Sequence, residues 1–155
     1  MRRKLVLAGT AVAAFCVSSL PAYAAGTTHS GGGSCIGVAS ACSVSGSHYA
    51  RSFTNWCTVA NGIYTSCQFE HGCSATARGT LATGSLTCTF GTPSTCSAST
   101  AGSCSMNSFG TTTVAFNACA TFAIDAKATS PVGGTAQWTD NITMCVNPNT
   151  GPYVL

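Results

Sequence analysis

The sequence predicts an all-β protein, a disulfide-stapled antiparallel β-sandwich, with a partly open barrel as the second choice. Apolar and polar residues alternate with a period of two over most of residues 112–147, which indicates paired strands. No segment has a sustained helical period, and the abundant Ser, Thr and Gly are poor helix formers. Turn signals at short spacing divide the chain into about seven or eight strands, an arrangement typical of sandwiches.

Residues 1–24 have the pattern of a secretory signal peptide. Arg2, Arg3 and Lys4 precede an apolar stretch, and Ala22-Tyr23-Ala24 forms a small-residue cleavage site. We therefore expect a secreted, extracellular protein that begins at Ala25 and has no membrane insertion after signal removal. Residues 25–34 contain Gly31-Gly32-Gly33 and predict a flexible leader, followed by a single Cys-rich β domain over 35–155.

Outside the signal, the cysteines are even in number, which in an exported chain predicts five disulfides. They are Cys35, Cys42, Cys57, Cys67, Cys73, Cys88, Cys96, Cys104, Cys119 and Cys145. Turns between Cys88, Cys96 and Cys104 allow a bond from Cys96 to either neighbour, but not to both. Connectivity beyond the pair Cys119 and Cys145 stays open.

The charge balance excludes nucleic acid as a partner. After signal removal the chain has three basic and three acidic side chains and is formally neutral. These residues are Arg51, Arg78, Lys127, Glu70, Asp125 and Asp140. So few charges imply a surface made of Ser, Thr, Asn, Gln and Gly.

The stretch from Gly110 to Asn147 contains the clearest hairpin. A turn at 130–134 sets Cys119 opposite Cys145, close enough for a disulfide, and Asp125 opposite Thr139. Asp140 then lies on the apolar face, away from Asp125, so these two acids do not form a glycosidase pair. A carboxylate on that face needs donors, and we expect a bulge near Asp140-Asn141.

A second hairpin is predicted around Asn61-Gly62, between strand-like segments at 49–59 and 63–70. A two-residue loop would put Trp56 opposite Cys67. A three-residue loop with Gly62 in a bulged turn would put Cys57 opposite Cys67, and we favour it because it lets the two cysteines bond. An earlier strand is expected at 35–44, with a turn at 45–47.

Glu70 and His71 are adjacent in the sequence and form the closest pair of titratable residues considered for catalysis. His29 falls in the predicted leader. A metal site of Cys67, His71 and Cys73 can be drawn, but disulfides compete for the thiolates and no fourth ligand is at hand, so we predict no metal and no cofactor. No nucleophile motif or paired carboxylates support a catalytic residue, so the prediction leans against an enzyme.

Aromatic rings among hydroxyl and amide side chains suggest a sugar-binding surface, for which Trp56, Tyr64, Glu70 and His71 are the candidate residues. Trp138 is expected in the core. We predict an extracellular binding or structural protein whose partner is a carbohydrate, a surface polymer or a protein. One alternative is a small effector, such as a hydrolase inhibitor or antimicrobial protein, and another is a small hydrolase using Glu70 and His71. A flat aromatic and amide face would favour the binder, a protruding loop the inhibitor and a cleft with Glu70 and His71 the hydrolase.

Overall fold

A computed structural model describes residues 24–36 and 41–155, so nearly all of the predicted signal peptide lies outside the described residues. The described chain is built almost entirely of strands, with one turn of 3₁₀ helix at Thr54–Trp56. The strands are β1 Ala24–Ser34, β2 Ser43–Phe53, β3 Cys57–Ala60, β4 Ile63–Arg78, β5 Thr83–Cys88, β6 Ser94–Ser97, β7 Ser103–Ala115, β8 Cys119–Thr129, β9 Thr135–Asn147 and β10 Gly151–Val154. None of the described segments is a helix long and apolar enough to cross a membrane.

The strands form two antiparallel five-stranded sheets that pack as a sandwich, which confirms the predicted fold class. In the first sheet, β1 pairs with β2, and β2 and β3 pair with β4, which also pairs with β7. The second sheet has the order β10-β9-β8-β5-β6. The core between the two sheets has few large side chains and many alanines. The largest buried apolar residues are Phe69, Leu86, Phe122, Ile124, Ile142 and Met144.

All ten cysteines outside the predicted signal form disulfides. The bonds are Cys35–Cys42, Cys57–Cys67, Cys73–Cys88, Cys96–Cys104 and Cys119–Cys145. Two of them cross between the sheets, since Cys73–Cys88 joins β4 to β5 and Cys96–Cys104 joins β6 to β7. Five disulfides in a small β domain are typical of extracellular proteins.

The β8–β9 hairpin has the register predicted from alternation. Cys119 pairs with Cys145 and Asp125 with Thr139, while Asp140 lies opposite Ile124. The expected bulge at Asp140-Asn141 is wrong, because the ladder continues without a shift from Thr135 to Cys145. Asp140 instead obtains its donors from the facing sheet.

The β3–β4 hairpin combines the two predicted registers. Asn61 and Gly62 form a two-residue turn with φ of 52° and 74°, so Val59 faces Tyr64. The register then shifts, which brings Cys57 opposite Cys67. The disulfide prediction is confirmed, whereas placing the bulge in the turn at Gly62 was wrong.

Two glycine-rich segments are strands where the sequence predicted irregular structure. β1 occupies the predicted flexible leader, and Gly46 lies inside β2, where a turn was expected. A Cβ on Gly31 would collide with the indole of Trp138, and one on Gly46 would come within 2.8 Å of that ring. These glycines therefore provide space for a tryptophan from the other sheet.

Candidate functional site

The outward surface of the first sheet carries polar, mostly uncharged side chains in regular rows. We call this surface the outer face, and it consists of the residues of β1, β2, β4 and β7 that point away from the second sheet. One row runs Ser30, Ser47, Ser74 and Asn107, and the next runs Gly32, Ser45, Thr76 and Ser105. The period of two puts these hydroxyl and amide groups on the same side of four neighbouring strands.

Two aromatic rings lie at the centre of the outer face, on either side of Gly72. Tyr49 and Phe109 are both paired with Gly72, from β2 and β7 respectively. A Cβ on Gly72 would lie 2.6 Å from Tyr49 Cε1 and 2.5 Å from Phe109 Cδ1, so both rings cover the glycine. Phe109 is 63% exposed, so most of its ring is available for a contact.

The Tyr49 ring is held in place by polar contacts. Its hydroxyl donates to Glu70 Oε1 at 2.8 Å, and Arg51 donates to the same carboxylate through Nε at 3.1 Å and Nη2 at 2.9 Å. The hydrogen bonds from Arg51 and Tyr49 lower the pKa of Glu70. Partial burial and the bond to Glu70 raise the pKa of Tyr49, so the phenol stays a donor at neutral pH.

Shallow, open depressions flank the aromatic centre. One is lined by Gly26, Thr27, Thr28, Tyr49, Ala50 and Arg51, and another by Ser45, Gly46, Ser47, Ser74, Ala75 and Thr76. Both lie beside the Tyr49 position on strands that form the outer face. The surface therefore offers an extended contact area rather than a deep cavity.

The structure separates Glu70 from His71. These neighbours point to opposite faces of β4, because Glu70 contacts Arg51 and Tyr49 outside while His71 is 2% exposed and bonds the Thr112 hydroxyl at 2.8 Å inside. Burial lowers the pKa of His71. The two side chains do not form a cleft for acid–base catalysis.

The remaining sequence candidates lie elsewhere. Trp56 packs edge-to-face on Phe53 with ring centroids 4.7 Å apart, and Tyr64 packs against the core beside Gly151. Cys67 and Cys73 are bonded to Cys57 and Cys88, so the drawn metal site with His71 does not exist.

A second polar cluster lies between the sheets and was not predicted. His29 and His48 are directly opposite each other on β1 and β2, and Asp140 reaches them from β9. Asp140 Oδ2 lies 2.6 Å from His29 Nδ1 and 2.9 Å from His48 Nε2. We call these three residues the His29–His48–Asp140 cluster; it connects the two sheets at the side of the sandwich formed by β1 and β9.

The members of this cluster differ in exposure. The His48 side chain is fully buried, whereas the side chains of His29 and Asp140 are 36% and 34% exposed. Burial lowers the pKa of His48 despite the opposing hydrogen bond to Asp140. Neutral His48 donates through Nε2, and this bond lowers the pKa of Asp140.

The aromatic surroundings fix His48 in the core. His48 lies 5.6 Å from the ring of Phe122 and 5.8 Å from that of Trp138, measured between centroids. Trp138 is half-buried and packs against the core, as predicted. The sequence indicated that the Asp140 carboxylate needs donors. His29 was not considered as one of them, because it falls in the segment predicted to be a flexible leader.

Comparisons of the chain with protein-family models, with curated proteins and with solved structures found no match, so its own geometry carries the functional argument.

Proposed function

We propose that this protein is secreted and binds a neutral polysaccharide through the outer face of the first sheet. The observation that carries the proposal is the exposed Phe109 ring next to the anchored Tyr49 ring, in the middle of rows of hydroxyl and amide groups. Aromatic rings can stack on the apolar faces of sugar rings, and hydroxyl and amide groups can bond their hydroxyls. Glu70, one of the residues selected from the sequence, takes part by orienting Tyr49.

Two features support a neutral polymer over an anionic one. Arg51 and Glu70 neutralise each other at 2.9 Å, and Arg78, the other charged residue of the outer face, lies away from the aromatic centre at the end of β4. Long-range electrostatic attraction is therefore weak, and stacking with hydrogen bonding has to supply the affinity. An open surface with shallow depressions fits an extended chain, which does not need a deep cavity.

The same geometry disfavours two alternative functions, the inhibitor and the hydrolase. An inhibitor would act through a protruding loop, whereas the connections within 41–155 are short turns such as Asn61-Gly62. A hydrolase using Glu70 and His71 is disfavoured because β4 points them in opposite directions.

Sedimentation with insoluble cellulose and chitin tests the proposal. We expect the wild-type protein to bind at least one of them, and Phe109→Ala to weaken binding about 30-fold, which corresponds to loss of about 2 kcal/mol at an aromatic hot spot. Phe116→Ala is the matched control, since Phe116 is 53% exposed but lies beyond the end of β7. Equal binding by Phe109→Ala and Phe116→Ala, or wild-type binding to anionic polymers alone, would contradict the proposal.

A further inference from the structure

We propose that the His29–His48–Asp140 cluster binds a divalent transition-metal ion, with Zn²⁺ as the foremost candidate. The site lies between β1, β2 and β9, inside the sandwich, and is separate from the outer face. It does not depend on the proposed polysaccharide binding.

The ligand set has the right chemistry for such an ion. Two imidazole nitrogens and one carboxylate oxygen converge, and all three lie within 4.8 Å of one another. Zn²⁺ binds imidazole at about 2.0–2.1 Å and carboxylate oxygen at about 2.0–2.2 Å, so an ion would replace the hydrogen bonds that now join these atoms. Ca²⁺ and Mg²⁺ prefer oxygen ligands and are poor matches for two histidines.

The fold brings the three ligands together with little freedom. His29 and His48 face each other across the antiparallel β1–β2 ladder, and Asp140 comes from the opposite sheet. His48 is buried against Phe122 and Trp138, so its ring already has few conformations. Binding a metal ion therefore costs little side-chain conformational entropy at this ligand.

One side of the site is open. His29 and Asp140 are each about one-third exposed, so an ion can enter from solvent and water can complete its coordination. Three protein ligands with an open fourth position is the arrangement of catalytic rather than structural zinc sites.

The second nitrogen of His48 limits the affinity. Nδ1 is buried without a hydrogen-bond partner, yet it must carry the proton when Nε2 holds a metal. In metal sites, removing the group that accepts a hydrogen bond from the second nitrogen of a ligating histidine lowers metal affinity about 10–100-fold. We therefore expect binding weaker by that factor than at a zinc site whose histidines are all supported.

Calorimetric titration of the oxidised, chelator-treated and untagged protein with Zn²⁺ tests the site. We expect one ion per chain, with affinity lowered at least tenfold by His29→Gln and by Asp140→Asn. Asp125→Asn is the matched control, because Asp125 lies on the solvent side of β8 and contacts Gln137 and Lys127. Absence of binding to the wild type, or equal affinity in all three variants, would overturn the proposal.

The two tryptophans provide a second readout with Cu²⁺ as the probe. Trp138 lies beside His48, whereas Trp56 packs on Phe53 in another part of the chain. In Trp56→Phe, the fluorescence of Trp138 should be quenched to saturation at one equivalent of Cu²⁺, and Asp140→Asn in that background should remove the effect. Quenching that is weak, or unchanged by Asp140→Asn, would place any bound metal elsewhere and overturn the assignment.

Discussion

The two sides of this sandwich are joined in different ways. On the side of β5, β6 and β7, the disulfides Cys73–Cys88 and Cys96–Cys104 link the sheets covalently. On the side of β1 and β9, the link is the His29–His48–Asp140 cluster, made of hydrogen bonds at 2.6 and 2.9 Å. A disulfide stabilises mainly by restricting the unfolded chain, whereas the cluster acts only in the folded state and contains titratable groups. The covalent link on one side therefore does not depend on pH, whereas the link on the other side is made of groups that can titrate.

The largest expected effect is on the covalent side. Replacing both Cys73 and Cys88 by alanine should lower the free energy of unfolding by about 3 kcal/mol, the chain-entropy value for a loop of about 15 residues. Urea denaturation of the variant and the wild type measures it. A loss below about 1 kcal/mol would mean that packing, rather than the disulfide, holds the sheets together there.

Removing the carboxylate tests the other side. Asp140→Ala leaves the buried His48 Nε2 without its partner, and we expect a loss of about 1–3 kcal/mol in the free energy of unfolding. Asp125→Ala is the control, because its exposed contacts on β8 are expected to contribute within about 0.5 kcal/mol. Equal effects of the two substitutions in thermal or urea denaturation would show that the cluster does not hold the sheets.

A smaller effect of pH should come from His71, which lies two residues from Cys73 on the covalent side. Its pKa is lowered by burial below the ordinary value of 6.5, so the unfolded chain takes up this proton more readily than the folded one. The contribution of His71 to stability is complete above pH 6.5 and declines as the pH falls from there towards the lowered folded pKa.

Urea midpoints of the wild type and His71→Gln between pH 7.5 and 5.5 measure this dependence. The decline of stability should be smaller in His71→Gln, whatever the stability of the variant at pH 7.5. An identical decline in both proteins would assign the acid sensitivity to other groups.

Strand register and disulfide pairing could be predicted from the sequence where the interacting residues lie on strands joined by a short turn. In the β8–β9 hairpin, strict alternation and a short turn determine which residues face each other, so the bond between Cys119 and Cys145 followed directly. The β3–β4 hairpin was harder, because a bulge within the strand and a bulge in the turn have the same effect on Cys57 and Cys67.

Contacts between the two sheets could not be predicted from local sequence patterns. Gly31 and Gly46 were interpreted as flexible or turn residues, yet the indole of Trp138 takes up the space that a side chain would need there. Because β1 was not foreseen as a strand, the pairing of His29 with His48 was missed as well. One signal was available in the sequence, namely an Asp140 carboxylate on an apolar face that needed donors from elsewhere in the chain.

Strand β4 places the neighbours Glu70 and His71 on opposite faces, since Glu70 belongs to the outer face and His71 to the interior. A shift of one residue along this strand would exchange its two faces and turn Cys67 and Cys73 out of the core. The disulfides at these two positions therefore act as register locks: once Cys57–Cys67 and Cys73–Cys88 have formed, β4 cannot slide. In oxidative folding, the correct pairing of cysteines decides which chemistry faces the solvent.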